Sequence, residues 1–439
     1  MRLLAPALLA ALTLILSAPA LADAPAWSPT QQLNTGTVVK GGEPVPFSSG
    51  PAVGVAADGA TLAAWSVARV RGQEPADVHL SAAPAGGPFA PERIVLPEAE
   101  NPDLVVLPDG RALLTARVRA GSLLLAGRVD GTFGPPRPIG GANEIVTALL
   151  PTPRGALALT SRFTEDDETL PTTVREIGGD GQVGEPRDVG LGEFGAAGVA
   201  YVGGAPGAVA RGADGTLVFP LGRALLVRRP DGRWERLRTP FPRTSPSPDV
   251  AVAPDGRITV VSLVGTVSGE VTSYGTVAVA EWRPGTRRFG ALRRLPARKR
   301  TNALDGGPPR AWAFDPVAAY DARGRRVVGW VEDTHPDPGG EQESAVGEAI
   351  LWSSGRRTRI ATRTGIVSLT GRADRVLAVV ADRGQWRTFL AGGRATPRAL
   401  RGPSGRIIDP PVLAAGGRRT VMAWRGAPDG GIRISTLAG

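Results

Sequence analysis

The chain of 439 residues carries 51 lysines and arginines against 41 acidic residues, which gives a net charge of +10, and it contains no cysteine. The lack of cysteine excludes disulfides, thiolate zinc sites and thiol nucleophiles. Nearly all of the positive charge is arginine, since Lys40 and Lys299 are the only lysines. This charge is scattered, which argues against a nucleic-acid partner. It reflects either a coding bias toward Arg, Gly, Ala and Pro or an affinity for anionic polymers.

The N-terminal residues 1–22 have the features of a secretory signal peptide. Arg2 precedes a nearly continuous apolar run from Leu3 to Leu16, and Ala20-Leu21-Ala22 has the small residues of a cleavage site. A membrane anchor is the alternative, but the run is short for a spanning helix. We therefore expect a secreted, extracytoplasmic chain from 23 to 439, with no stable membrane insertion.

One short unit recurs along the rest of the chain. Its clearest copy, Val250 to Leu263, reads VAVAPDGRITVVSL, with two runs rich in Val and Ile on either side of a Pro-Asp-Gly turn. Asp-Gly provides the positive φ values of a tight β-hairpin. Similar hairpins begin at Val53, Leu104, Ala148, Ala318, Ser368 and Val412, and a looser copy between Gly198 and Pro220 has two competing turns, at Pro206-Gly207 and Asp214-Gly215.

A second hairpin follows each first one, so that each repeat contains four strands, named a to d. The clearest second hairpin runs from Leu123 to Gly140, and its last strand spaces Phe133 and Ile139 six positions apart. The 146 residues from Asp109 to Asp255 span three repeats, or about 49 residues each. Four strands in that length are typical of a propeller blade. The sequence predicts an all-β propeller of four-stranded antiparallel blades, eight by this count and seven if the loose copy is not a blade.

The two ends of the chain predict how the ring closes. Trp27 and Leu33 have the aromatic–aliphatic spacing of a d strand with no a, b or c strand before it. The C-terminal segment, Pro411 to Leu437, supplies a, b and c strands and then stops. We expect the N-terminal strand to complete the last blade, which leaves no open sheet edge, and 23–439 to form a single propeller domain.

The repeats resemble those of the sialidase-like, BNR-type β-propeller proteins that bacteria export. The resemblance covers Trp27 to Gly439 and rests on the pattern of hairpins. The turns at Asp130-Gly131-Thr132-Phe133 and Asp231-Gly232-Arg233-Trp234 are degenerate forms of the family's Asp-box. The resemblance implies the fold, and it carries no activity over, because propellers host many unrelated functions.

The b–c and d–a loops of a propeller emerge on one face, which we call the loop-rich face, and this face is the predicted binding site. Its long b–c loops are 163–171, 265–275 and 332–347, and two of them are acidic. They could bind Ca²⁺ through oxygen ligands, meet a cationic partner or simply carry solvated charge. A basic d–a loop could pair with them or contact an anionic ligand. The residues assigned to this site are Glu165, Asp166, Asp167, Glu168, Tyr274, Arg298, Lys299, Arg300, Glu332, Asp333, His335 and Asp337.

Catalytic constellations find little support in the residue types present. With His79 in a strand, His335 in a loop and no cysteine, a nucleophilic triad or a transition-metal cluster is poorly supported. A sialidase-like site would need arginines, a tyrosine nucleophile and carboxylates; Tyr274 lies in a b–c loop, whereas Tyr320 is expected to pack. Three tryptophans occupy equivalent b-strand positions, where they either form a platform for sugar rings or, as we favour, pack between blades: Trp65, Trp330 and Trp424.

The expected function is non-enzymatic binding or scaffolding at the cell envelope or in the extracellular space. We expect a monomer without a resident cofactor, with calcium as the one candidate metal. The ligand is expected to be a carbohydrate, an envelope polymer or a protein, bound on the loop-rich face. The alternative is a sialidase-like glycoside hydrolase or lyase.

Overall fold

The repeating hairpins fold into an eight-bladed β-propeller, as the sequence predicts, and the alternative of seven blades is excluded. The structure is a computed structural model, and its described residues contain no helix. The loose fourth repeat is a blade whose first hairpin turns at Asp214-Gly215. The residues described are 26–34, 50–70, 73–162, 172–191, 209–221, 223–243, 245, 248–268, 273–296, 313–333, 347–364, 367–372, 374–382, 385–393, 395–403, 406–407, 411–417, 419–427 and 431–438.

The first four blades follow one another along the chain. Blade 1 contains β2 (Ala52–Val55), β3 (Thr61–Val70), β4 (Gln73–Ala83) and β5 (Arg93–Leu96). Blade 2 contains β6 (Glu100–Val106), β7 (Arg111–Val118), β8 (Gly121–Arg128) and β9 (Arg137–Ile139). Blade 3 contains β10 (Glu144–Thr152), β11 (Gly155–Arg162) and β12 (Thr173–Gly178), with its fourth segment joined by the bridges Val174↔Arg187 and Ile177↔Val183. Blade 4 contains β13 (Ala210–Arg211), β14 (Leu217–Leu221), β15 (Ala224–Arg228) and β16 (Trp234–Arg238).

The remaining blades continue the same order and end with the N-terminal strand. Blade 5 contains β17 (Asp249–Val252), β18 (Ile258–Ser268), β19 (Ser273–Trp282) and β20 (Arg293–Arg294). Blade 6 contains β21 (Ala313–Tyr320), β22 (Arg326–Asp333), β23 (Gly347–Ser353) and β24 (Arg356–Thr364). Blade 7 contains β25 (Val367–Gly371), β26 (Val376–Asp382), β27 (Gln385–Ala391) and β28 (Arg398–Ala399). Blade 8 contains β30 (Val412–Gly416), β31 (Arg419–Ala427), β32 (Ile432–Ala438) and β1 (Gln31–Gln32), and β29 (Arg406–Ile407) joins blades 7 and 8.

The a–b turns have a common chemistry that explains why Asp-Gly recurs. The Asp109 carboxylate accepts the backbone N–H of Arg111 at 3.1 Å, and Asp255 accepts that of Arg257 at 3.3 Å. The glycine after each aspartate has a positive φ, 82° for Gly110 and 79° for the equivalent residue of blade 5. An aspartate that hydrogen-bonds the backbone two residues on stabilises such a turn. These turns lie on the face opposite the loop-rich face, and we call it the short-turn face.

The core lies between the blades rather than within any one of them. The described buried apolar residues form eight clusters, and each cluster joins two neighbouring blades. The b strands are buried on both faces, as the pattern of β11 shows, whereas the short d strands β20 and β28 are exposed. Strands buried on both faces need nearly continuous apolar sequence, which is why the b strands carry the longest runs of Val, Leu and Ala.

The ring closes as the sequence predicts, through the N-terminal strand. β1 pairs antiparallel with β32, with Gln31 opposite Ile434 and Gln32 opposite Arg433. The buried Asn34 side chain accepts the backbone N–H of Ile432 at 2.6 Å. The N-terminal and C-terminal segments therefore share one sheet.

Candidate functional site

The innermost strands of neighbouring blades line an open cavity of about 730 Å³ on the axial side of the ring, which we call the axial cavity. Strands β2, β6, β10 and β30 form most of its wall, and β13 contributes one residue, Arg211. The lining extends from Asn101, where β6 begins, to Pro108, in the a–b turn that follows it. The axial cavity therefore spans the depth of the ring, from the loop-rich face to the short-turn face.

The walls of the axial cavity are mainly apolar. Among the described residues, the only charged side chains that line it are Asp103 and Arg211. The inner strands of blades 1 and 2 pack closely, since a Cβ on Gly54 would lie 2.4 Å from Cγ2 of Val106. An apolar cavity of this volume with a few polar groups is the usual form of a small-molecule site.

Arg211 is the cation of the axial cavity. Water reaches its side chain, yet the surrounding walls remove enough solvent for burial to lower the pKa of its guanidinium. No carboxylate of the described segments acts in the opposite direction on that pKa. The side chain of Arg211 forms no hydrogen bond or ion pair with the described part of the chain. Within the described residues, its charge is therefore uncompensated and its donors are available.

Asp103 is the anion of the axial cavity, and it is held by backbone groups. It accepts the N–H of Leu104 at 2.8 Å and, across the gap to blade 3, the N–H of Leu149 at 2.5 Å. Burial raises the pKa of Asp103 to about 6, although both hydrogen bonds act to lower it. Its carboxylate thus ties the inner strand of one blade to that of the next.

Blade 5 repeats this arrangement. Asp249 occupies the position of Asp103 relative to its turn, and it accepts the N–H of Ala318 in blade 6 at 2.8 Å. Burial raises the pKa of Asp249 to about 8. Inner strands are sheet edges with unpaired N–H groups. A carboxyl from the preceding blade satisfies one of these groups at each of the two positions.

The equivalent tryptophans pack between blades and offer no sugar platform. Trp65, Trp330 and Trp424 are between 0 and 1% exposed. Each belongs to a cluster shared with the preceding blade, so that Trp65 contacts the core of blade 8 and Trp424 that of blade 7. His79 stacks on Trp65 with 6.2 Å between ring centroids and lies 3.1 Å from Glu92, in keeping with its expected structural role.

A tyrosine, a glutamate and two arginines meet between blades 5 and 6. The Tyr320 hydroxyl lies 2.6 Å from Oγ1 of Thr259 and 3.5 Å from Oε2 of Glu281. The same Glu281 oxygen lies 3.2 Å from Arg257 and 3.8 Å from Arg326. Burial raises the pKa of the Tyr320 hydroxyl. Tyr320 ends β21 and Arg326 begins β22, so this group lies toward the short-turn face, away from the loops.

Only part of the site predicted from the sequence falls within the described residues. Glu332 is buried in β22, where it accepts the indole N–H of Trp330 at 2.9 Å and a bond from Arg357 at 2.5 Å. Asp333 pairs with Gly347 at the end of the same strand, and the backbone of Tyr274 pairs with Val267 in blade 5. The other predicted site residues lie outside the described residues: Glu165, Asp166, Asp167, Glu168, Arg298, Lys299, Arg300, His335 and Asp337.

Two further findings concern metals and membranes. Within the described ranges, no three histidine, aspartate or glutamate side chains come together in a way that could hold a metal ion. None of the described segments forms a helix of the length and hydropathy needed to cross a bilayer.

Comparisons with known proteins identify no family. The sequence matches no protein-family model and no curated protein. Among solved structures, virginiamycin B lyase from Staphylococcus aureus aligns at 11% identity and a TM-score of 0.42, over 80% of this chain and 94% of the lyase. An α-L-arabinanase from Penicillium chrysogenum aligns at 15% sequence identity and a TM-score of 0.39, and the alignment covers 94% of this chain and 99% of the arabinanase. An acylaminoacyl peptidase from Pyrococcus horikoshii aligns at 12% sequence identity and a TM-score of 0.43, and the alignment covers 89% of this chain and 51% of the peptidase.

Proposed function

We propose that this protein is a non-enzymatic binding propeller whose ligand enters the axial cavity from the loop-rich face. The axial cavity itself carries the proposal: about 730 Å³ of space with apolar walls and two charged side chains. Its volume and lining suit a small molecule. Inner strands held by close packing and by the Asp103 carboxylate supply a rigid wall, which favours binding because little order has to be gained on association.

The sequence-based expectations about location and partners remain part of the proposal. They describe an exported protein, related to the sialidase-like propellers, that acts at the cell envelope or in the extracellular space. A carbohydrate, an envelope polymer or a protein would then engage the loops around the mouth of the axial cavity. Supporting this view, the a strands begin at the loop-rich face, so the loops and the upper walls of the axial cavity adjoin each other.

A sialidase-like hydrolase or lyase is the less favoured function. Such a site needs arginine, tyrosine and carboxylate side chains that face a substrate. In the described part of the chain, Tyr320, Glu281 and their arginines do come together, but between two blades and near the short-turn face. The Tyr320 side chain is only 7% exposed. A substrate in the axial cavity would not meet this tyrosine.

A neutral apolar fluorophore tests the proposed function. Phenylnaphthylamine is titrated into the protein expressed from its full reading frame, and saturable binding to one site is expected. Ala415 is exposed and lines the axial cavity, so Ala415→Trp should fill the space and abolish binding. Ala291→Trp, at an exposed position before β20, is the matched control and should bind as the wild type does.

Equal binding by the wild type and Ala415→Trp would refute a ligand site in the axial cavity. A parallel incubation with mixed glycans and wall polysaccharides, with and without Ca²⁺, tests the enzymatic alternative. Products detected by mass spectrometry would replace the binding function with catalysis.

A further inference from the structure

The arginine of the axial cavity differs from three arginines whose side-chain partners the structure shows. Arg175 is bound by Glu144 at 2.8 Å, and Arg325 is bound by Asp321 at 2.7 Å. Arg419 has no carboxylate, but it donates to the backbone carbonyls of Gly59 and Pro84 at 3.0 and 3.2 Å. Arg211 has neither kind of partner among the described residues. Arg211 is a solvent-accessible, partly desolvated cation whose guanidinium has no partner in the described part of the chain.

The second charged group of the cavity does not neutralise the first. The Asp103 carboxyl is directed to the backbone N–H groups of Leu104 and Leu149. It is not among the causes that shift the pKa of Arg211, which responds to burial alone. Partial desolvation of a cation without a counter-charge costs some free energy. A ligand with a negative charge would recover that cost.

The register of the strands places the cation at the end of the axial cavity that lies near the short-turn face. Arg211 stands four residues before the turn glycine Gly215, in the same position as Val55 and Val106 in blades 1 and 2. This level is close to the short-turn face. A ligand that enters from the loop-rich face would pass along apolar wall before it reached the guanidinium.

We propose that the axial cavity binds an amphipathic organic anion, with its apolar body against the inner strands and its carboxylate or sulfonate on Arg211. This inference rests on the proposed function and names the ligand class for the same cavity. A guanidinium can donate two parallel hydrogen bonds to such an oxyanion, which a lysine cannot. The apolar body of the ligand would displace water from the walls beside Arg211, and the lower local dielectric would strengthen the interaction.

A matched pair of fluorophores tests the ligand class. Anilinonaphthalene sulfonate has the ring system of phenylnaphthylamine plus one sulfonate, so the two probes differ in charge and little else. The wild type should bind the sulfonate about tenfold more tightly than the neutral probe, as expected for a hydrogen-bonded charge. Arg211→Leu should remove this preference and leave the affinity for phenylnaphthylamine unchanged. Arg398→Leu, on the exposed strand β28, is the control and should keep the preference.

The outcomes separate the two proposals. Suppose that Ala415→Trp abolishes the binding of both probes, but the two probes bind with equal affinity and Arg211→Leu has no effect. The anion site is then refuted and the apolar site stands. If neither probe responds to Ala415→Trp, the proposed function fails and the anion site fails with it. Displacement of phenylnaphthylamine by octanoate at lower concentration than by octanol would extend the result from sulfonates to carboxylates.

Discussion

Replacing Asp249 by asparagine should remove most of one pH-dependent contribution to stability while keeping a hydrogen bond. Asp249 is 5% exposed, and its carboxyl accepts the N–H of Ala318 in the next blade at 2.8 Å. The amide oxygen of asparagine can accept the same N–H group. The substitution therefore changes the titration of this position with little change in its shape.

The sign and size of this change in the free energy of unfolding follow from the pKa of Asp249. Burial raises the pKa of Asp249 from 3.8 to about 8, so the folded protein holds a proton that the unfolded chain releases near pH 4. The stability that this proton provides is fully present below the unfolded pKa and is lost as the pH rises through about 8. A shift of about four units at about 1.4 kcal/mol per unit sets the full loss at about 6 kcal/mol.

Denaturant unfolding at a series of pH values measures this contribution. The free energy of unfolding of Asp249→Asn minus that of the wild type should rise by about 1.4 kcal/mol per pH unit between about pH 5 and about pH 7. Taking the difference cancels the titration of all other groups. Asp109→Asn is the control: the backbone N–H of Arg111 lowers the pKa of Asp109, so this group stays ionised over the whole range.

Parallel curves for the wild type and Asp249→Asn would refute the reasoning. They would mean that the Asp249 carboxyl is as well solvated in the ring as in the unfolded chain, and that it is not enclosed between blades 5 and 6. A slope in the Asp109→Asn difference would show that the comparison does not isolate one group.

Three further substitutions test other contacts by their effect on the free energy of unfolding. Arg357→Met removes the cation paired with the buried Glu332 carboxylate and should lower the free energy of unfolding by about 3–5 kcal/mol. Adding Glu332→Gln to this variant should restore much of the loss, and no rescue would contradict the pairing. Asn34→Ala leaves the backbone N–H of Ile432 without its acceptor and should lower the free energy of unfolding by about 1–3 kcal/mol, with earlier proteolysis at the N-terminus. An unchanged digestion pattern would show that this hydrogen bond does not hold the N-terminal strand in place. Arg211→Leu should leave the unfolding midpoint unchanged or raise it, whereas a loss above about 1 kcal/mol would reveal a structural role.

The fold could be predicted because its signals are local and repeated. Asp-Gly turns fixed the hairpins, their spacing gave the blade, and the unmatched strand at Trp27 predicted the closure that β1 and β32 form. The fourth blade was ambiguous because two glycine turns lie close together, and only pairing with β14 selects Asp214-Gly215. Local patterns were therefore sufficient wherever one turn dominated its neighbourhood.

The candidate site could not be predicted in the same way, because it depends on which side chains the ring brings together. Nothing near Arg211 distinguishes it from the many other arginines of the chain. The sequence does carry a signal for the hydrogen bonds that Asp103 and Asp249 form with the next blade. Each of these aspartates follows a proline and stands six residues before the aspartate of the a–b turn. The sequence pattern predicts Glu332 in an acidic loop; this is wrong, because β22 continues far enough to bury Glu332 beside Trp330.

Blade 8, which combines strands from both ends of the chain, also determines the order of folding events. Asn34 and Ile432 are 398 residues apart, and their contact closes a loop that contains the rest of the propeller. Closing a loop of this length in a free chain costs about 5 kcal/mol of entropy, but blades that have already stacked bring the two ends close before they pair. A ribosome delivers β1 first, and β1 must remain unpaired until β32 has been made. Until that moment the chain presents two free sheet edges, so the interval between synthesis and closure is when it is most exposed to wrong pairing with another copy.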